Sequence, residues 1–252
     1  MKEFDYYHYN VMNKNFINNN SLIYESIEMD CTDIVTDLCN ISKKYRSDKC
    51  PYIKNPYPES NTVHPYTAIY DSLFSPIRHK KLNVVEIGVA YNDSICIWRE
   101  YFPNSKIYGF DINENFIMDA EKEKLPNVKY DIMNVSDEFS ISSALKKNKV
   151  KYDIIIDDSN HIGDDQIKII KNSVNYLNSG GFLVIEDINR EQDEQYYLKK
   201  IKNPNIYPYF SKVLFISAEH RKRNFGDPKD WPYFNDKILI LVRNNTKKQI
   251  SY

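Results

Sequence analysis

The chain places two carboxylates and an imidazole within five residues, Asp157-Asp158-Ser159-Asn160-His161, directly after the apolar run Ile154-Ile155-Ile156. A second acidic pair, Glu186-Asp187, follows Val184-Ile185. Short β-branched runs read as buried strands, so the acids and the His stand at strand ends. If those strands are neighbours, four carboxylates crowd one rim, which is costly unless a cation sits among them. Oxygen donors favour Mg²⁺, Mn²⁺ or Ca²⁺ over zinc. The imidazole adds a base. An alcohol that behaves like water has a pKa of about 15.7, and imidazole titrates near ~6.5. That gap is roughly nine units, or about 12 kcal/mol at about 1.36 kcal/mol per unit. A His alone therefore makes too little alkoxide at neutral pH. A divalent ion at the hydroxyl removes several units of the gap and leaves His161 a feasible general base. The competing reading is that Asp157 and Asp187 cap the following helices and His161 is solvated. Two acidic ends together with a His favour the metal.

A second ligand position is written in Val84-Val85-Glu86-Ile87-Gly88-Val89-Ala90-Tyr91-Asn92-Asp93-Ser94. This reads as a buried parallel strand, a tight turn at Gly88 and a helix beginning near Ser94. Open α/β sheets bind ligands at such a junction, where the helix N-terminus presents unpaired N–H groups. A dinucleotide fingerprint needs Gly-x-Gly-x-x-Gly, but the next two candidate positions are Ala90 and Asn92. The acidic strand end, Glu86, suits a cationic ligand better than a diphosphate. S-adenosylmethionine (SAM), with its sulfonium and ammonium, fits. Asp111 ends the next strand, where an acid bonds a ribose diol or else caps a helix in competition with Asn113. Asp131 ends the third strand and either meets the adenine amino group or is a turn residue. Asp157 completes the acids expected along this cofactor cleft.

Elements that alternate regularly must carry these residues. Strands are expected at 83–88, 106–111, 127–131, 152–157 and 181–186, with helices at 93–102, 114–123, 137–147 and 163–177 and a break at Gly180-Gly181. Strand and helix in alternation give an α/β fold with a parallel sheet wound on both faces. After a helix near 191–201, the apolar runs at 213–216 and 237–243 are joined without a crossover helix and so pair antiparallel. Upstream, residues 1–28 read as an irregular arm or a partly ordered extension docked by its aromatics. Residues 31–46 read as a surface helix capped by Thr32 or Asp30, and 66–78 as a short helix. The expected division is 1–80, an arm and helical extension of the same globule, and 81–252, the main domain.

Composition narrows the partners. A net charge of −1 and 42% hydrophobic residues point to neither nucleic acid nor a membrane surface. No apolar run approaches the roughly 20 residues of a span, and the acidic, aromatic N-terminus is not a signal peptide. Cys31, Cys39, Cys50 and Cys96 form no C-x-x-C pair, so reduced thiols in a cytoplasmic protein are expected.

The residues Lys44-Tyr45-Arg46-Ser47-Asp48-Lys49, His64-x-Tyr66, Glu86-Ile87-Gly88, Trp98, Tyr101-Phe102-Pro103, Gly109-Phe110-Asp111, Asp157-Asp158-x-x-His161 and Glu186-Asp187 together resemble one family. It is the metal-dependent sugar O-methyltransferases of macrolide biosynthesis (mycinamicin and tylosin type), within the class I methyltransferase superfamily. The resemblance covers about residues 38–190. It implies a Rossmann-like, mostly parallel seven-stranded sheet with a C-terminal antiparallel hairpin and an N-terminal helical extension. It also implies SAM as donor, Mg²⁺ (or Mn²⁺) bound by Asp158, Glu186 and Asp187, His161 as base, a sugar or nucleotide-sugar acceptor, and a homo-oligomer. Three positions depart from the pattern: Asn92 for the second loop Gly, Ser159-Asn160 for Gly-Ser, and Ser47 for Thr. Acceptor candidates are Asp48, Lys49, His64 and Tyr66, each of which also reads as turn or packing. Arg221 and Arg223, near Trp231, Tyr233 and Phe234, either stack on a sugar or hold a nucleotide-sugar diphosphate, or else form a solvated hairpin tip. The expected function is SAM- and Mg²⁺-dependent O-methylation of a sugar hydroxyl. The alternatives are a catechol- or phenol-type O-methyltransferase, a Rossmann oxidoreductase disfavoured by the missing glycines, and a non-catalytic binding module of the same fold.

Overall fold

The structure is a computed structural model that describes residues 24–45, 47–52, 63–188, 194–220 and 237–244. In chain order the elements are β1 (Glu25–Asp30), α1 (Asp37–Ser42), α2 (Tyr66–Phe74), β2 (Asn83–Ile87), α3 (Asp93–Tyr101), β3 (Lys106–Asp111), α4 (Glu114–Lys122) and β4 (Val128–Ile132). They continue with α5 (Glu138–Lys147), β5 (Tyr152–Asp157), α6 (Gly163–Ser173), β6 (Leu177–Ile188), α7 (Glu194–Ile201), β7 (Phe210–Glu219) and β8 (Lys237–Arg243). The strands form one sheet in the order β1-β7-β8-β6-β5-β2-β3-β4. Strands β4, β3, β2, β5 and β6 run parallel, and β8 inserts antiparallel between β6 and β7. The expected seven-stranded sheet with its C-terminal hairpin is present. An eighth strand, β1, extends it at the β7 edge.

That eighth strand orders the end of the arm read over residues 1–28 and runs beyond it: Glu25–Asp30 pairs parallel with Leu214–Glu219. Only Ile27 and Met29 pack against the core from this strand. One inward pair is too short to print a period. The helix expected over 31–46 shrinks to α1, and its cap is Thr36, whose Oγ1 accepts from the Cys39 N–H at 3.2 Å. Asp30 instead accepts from the Thr32 N–H at 3.0 Å. The break at Gly180-Gly181 appears as an irregularity inside β6: Leu177 pairs with Tyr152 and Phe182 with Ile154, leaving 178–181 out of the ladder, with Gly180 at φ 77°. All four cysteines are free and buried. Among the described residues no helix is long and apolar enough to cross a membrane.

Strand pleat assigns the faces. Val85, Ile87, Ile155, Leu183 and Ile185 join one buried cluster with α5, α6 and α7. Val84, Ile154, Ile156 and Val184 join the other with α2 and α3. Glu86 stands opposite Ile156, which stands opposite Val184. Asp158 and Glu186 come two residues further along their chains. The register therefore brings three acids from three adjacent strands to one end of the α2/α3 face.

Candidate active site

The cation those acids need is supplied by the chain itself. Lys49, from the loop between α1 and α2, donates to Asp158 Oδ2 and, at 2.5 Å, to Glu186 Oε2. Its Nζ also lies 3.6 Å from Glu86 Oε1. Its side chain is 4% exposed. Burial works against the Lys49 charge, but Asp158, Glu186, Glu86 and Asp48 outweigh it and hold the ammonium well above the usual lysine range. Helices α2 and α3 complete the shell. Tyr70 donates to Glu186 Oε1, and Trp98 Nε1 donates to Glu86 Oε2 at 2.7 Å. Burial pushes the Glu86 carboxyl up to about 7.

Next to this pocket, Asp158, His161 and Asp187 offer ligand atoms within 4.8 Å of one another. The two carboxylates suit a hard divalent ion, and the imidazole beside them is within reach of whatever the ion would hold. Asp187 Oδ1 accepts from the Tyr66 hydroxyl at 2.7 Å and lies 3.8 Å from His64 Nε2. His64 is stacked on the Tyr66 ring, with centroids 5.0 Å apart. The second oxygen of Asp187, Oδ2, lies 3.7 Å from His161 Nδ1. That is too long for a hydrogen bond but aims the imidazole with Nδ1 toward the acid. Asp48 is half-buried in the same group, and burial chiefly raises its carboxyl, with His64 opposing.

A cavity of about 290 Å³ opens on the other side of Asp158. It lies at the carboxyl ends of β2 to β5, with Gly88, Asp111, Asn134, Ser136, Asp158 and Asn160 in its wall. Gly88 has φ 101°, and a Cβ there would stand 2.0 Å from the Asp158 carbonyl oxygen. Only glycine lets the two loops cross. Asp111 Oδ2 accepts from the N–H groups of Val89 and Ala90 at 2.9 and 3.0 Å, and Oδ1 from that of Asn113 at 2.8 Å. A carboxylate has about four lone-pair sites, so one remains for a ligand hydroxyl. Asn113, not Asp111, caps α4.

Asp158, His161 and Asp187 meet as expected, and Asp48, Lys49, His64 and Tyr66 gather around them. Glu186 is not in that ligand group; its oxygens accept from Lys49 and Tyr70. Glu86 is fully buried beneath the cavity rather than in its wall. Asp131 also misses the wall. Strand β4 runs on to Ile132, so the cleft begins at Met133, and Asp131 pairs with Lys147 at 2.6 Å. Asp157 is buried, its Oδ1 accepting from Ser159 Oγ at 2.6 Å. Burial raises its carboxyl to about 7. Ser94 is buried in the first turn of α3, on the helix that also carries Trp98. Arg221 and Arg223 lie outside the described residues. The sequence reading passed over Tyr70, which follows Tyr66 by one helical turn, and that i, i+4 spacing was the available signal.

The departures from the family pattern have uses here. Asn92 takes the left-handed conformation, φ 70°, and its Oδ1 accepts from the Tyr130 hydroxyl at 2.8 Å. Asn160 accepts from the Ile162 N–H at 3.1 Å and donates to Asp165 Oδ2 at 2.8 Å, building the turn that carries His161.

A parallel sheet closed by an antiparallel hairpin, with a cleft over the glycine turn of its first core strand, defines a class I methyltransferase architecture. Residues 78–230 match the family described as "Methyltransferase domain". The chain belongs to that family. It is 34% identical over 133 residues to the 8-demethyl-8-alpha-L-rhamnosyl tetracenomycin-C 2'-O-methyltransferase of Streptomyces olivaceus, covering 50% of this chain and 34% of that one. It is 25% identical to the mycinamicin VI 2''-O-methyltransferase of Micromonospora griseorubida, covering 65% and 39%. The chain thus spans little more than a third of the length of these curated relatives. Among solved structures, the MycE methyltransferase from the mycinamycin biosynthetic pathway, in complex with Mg and SAH, shares the fold with a TM-score of 0.61. It is 18% identical, and the match covers 87% of this chain and 58% of that one.

Proposed function

We propose that the chain transfers a methyl group from SAM to a hydroxyl of a sugar or sugar-bearing small molecule, with a divalent ion at the acidic rim. The observation that carries this is the double position of Asp158. It walls the cavity at the glycine turn and belongs to the ligand group with His161 and Asp187. The sugar acceptor is carried over from the names of the curated relatives. On this reading residues 81–252 form the methyltransferase domain and residues 1–80 are an arm and helical extension of the same globule, with Lys49, His64 and Tyr66 at the acidic rim.

Asp158 and Asp187 are the residues that would hold the ion, and its contribution there is to lower the pKa of a neighbouring hydroxyl. SAM supplies an electrophilic methyl on sulfur. The chain does the rest by position and charge. Asp111 fastens the Val89-Ala90 turn and keeps one lone pair for a ribose hydroxyl. Gly88 lets the cofactor loop lie against the Asp158 backbone. His161, with Nδ1 toward Asp187, takes the acceptor proton at Nε2 and passes it to solvent, to which its side chain is 37% exposed. His64 and Tyr66, stacked on each other and buried, orient Asp187 from the side away from the cofactor cavity.

Incubation with SAM, Mg²⁺ and a rhamnosyl-bearing acceptor should release S-adenosylhomocysteine and yield a product one methyl heavier by mass spectrometry. Excess chelator should stop it. Turnover at full rate in chelator would remove the ion from the account, and no release of S-adenosylhomocysteine with any hydroxylated acceptor would remove the reaction.

A further inference from the structure

The acidic rim carries its own counter-ion. Lys49 Nζ contacts two of the three acids that the family resemblance assigns to metal, Asp158 and Glu186, and lies near Glu86 as well. Glu186 then has both oxygens engaged, one by Lys49 and the other by Tyr70. Asp158 keeps one oxygen away from Lys49. The remaining ligand group, Asp158, His161 and Asp187, contains no Glu186. We propose that Lys49 is a resident cation that competes with the divalent ion, holding Glu186 and one oxygen of Asp158 out of the metal's reach and so setting its affinity. This rests on the metal reading above.

The physical argument is one of charge placement. Three acids on adjacent strand ends would repel one another and lose hydration if no cation stood between them. An ammonium that meets three carboxylates satisfies that need before any ion arrives, which lets the rim form in the metal-free chain. The same ammonium repels an incoming cation and withholds donor oxygens, so the affinity for the ion is lower than three free carboxylates would give. Lys49 is thus a positioning residue acting on the ligand set. It sits on a loop, where Lys49 O accepts from the Thr67 N–H at 3.1 Å and Asp48 O from the His64 N–H at 2.6 Å. The loop is fastened to the start of α2, the helix that brings Tyr66 and Tyr70 to the same acids.

The test is a Mn²⁺ titration, followed by the electron paramagnetic resonance signal of free Mn²⁺, on the full chain and on Lys49→Met, Lys49→Arg and the double variant Lys49→Met/Glu186→Gln. Lys49→Met should melt lower without metal. It should bind Mn²⁺ about tenfold or more tighter than the wild type, the weight of one well-placed contact around a metal, and gain more melting temperature from Mn²⁺. Lys49→Arg keeps the charge and should bind no tighter than wild type. The double variant removes the charge pair together, leaves no unpaired acid at position 186, and should still bind tighter because Asp158 is released. It keeps the test open if Lys49→Met does not fold. Unchanged or weaker Mn²⁺ binding in both Lys49→Met and the double variant would overturn the competition while leaving the metal reading intact. Absence of Mn²⁺ binding by every form would overturn both.

Discussion

His161 and Asp187 both adopt the left-handed backbone region, with φ 56° and 53°. His and Asp tolerate it better than most side chains but still pay strain. Two such residues facing each other across a ligand group mark a place where geometry is kept at some cost in stability. If His161 takes the acceptor proton, His161→Ala should keep SAM affinity and melting temperature while lowering kcat by roughly 10²–10⁴-fold, the usual weight of a positioned base. Steady-state kinetics with a melting curve decides it: wild-type kcat in the variant would leave His161 out of the mechanism. Gly88→Ala should fail differently. Its Cβ would collide with the Asp158 carbonyl at a φ of 101°, so a cost of at least about 1–3 kcal/mol should appear as a lower melting point together with lost SAM binding. The acids and the His were legible in the sequence because each follows an apolar run. The grip of Lys49 on Asp158 was not, since those residues lie 109 positions apart and only the docking of the α1–α2 loop brings them together.

Helix α6 ties the cleft loops to one another through Asp165, near its first turn. Asp165 Oδ2 accepts from Ser136 Oγ at 2.6 Å and from Asn160 Nδ2 at 2.8 Å, and Lys168 Nζ donates to Oδ1 at 2.7 Å. Ser136 and Asn160 both wall the cavity. Burial alone would raise the Asp165 carboxyl, but the donors Lys168, Ser136 and Asn160 outweigh it and hold it below the usual range. A group whose folded pKa is depressed stabilises the fold above its unfolded value, about 3.9 for Asp, and loses that contribution as pH falls through the folded value. Asp165→Ala should therefore cost about 1–3 kcal/mol at neutral pH and weaken SAM binding. The stability gap to wild type should begin to narrow in melts below about pH 3.9 and go on narrowing as pH falls through the lower folded value. A gap independent of pH would mean that packing, not the carboxylate, is what Asp165 contributes. Elements of this kind were readable where burial was complete. Strands β2, β3 and β5 lie within a residue of their expected bounds because parallel core strands are near-continuous apolar runs. Strand β4 ran one residue further than expected, which moved Asp131 out of the cleft. The short edge strand β1 and the early start of β6 carried no such signature.

The matched family segment begins at residue 78, yet much of the rim comes from earlier in the chain: Lys49, His64, Tyr66 and Tyr70 all precede it. The sheet supplies a cleft common to the architecture, and the preceding helices and loop close over Asp158, Glu186 and Asp187, the side that the proposed function gives to the acceptor. The cofactor half of this arrangement was legible from the single-glycine turn and the acid of β3. The acceptor half was visible only as a cluster of candidates whose common destination needed the folded chain. The central claim concerns the ligand in the cavity, and calorimetric titration of the full chain with SAM, S-adenosylhomocysteine and NAD, each with and without Mg²⁺, tests it most directly. SAM and S-adenosylhomocysteine should bind at one site per chain in both conditions and raise the melting temperature with ligand excess, as any ligand specific to the native state does, while NAD does neither. Binding of NAD with no response to SAM or S-adenosylhomocysteine would contradict the account.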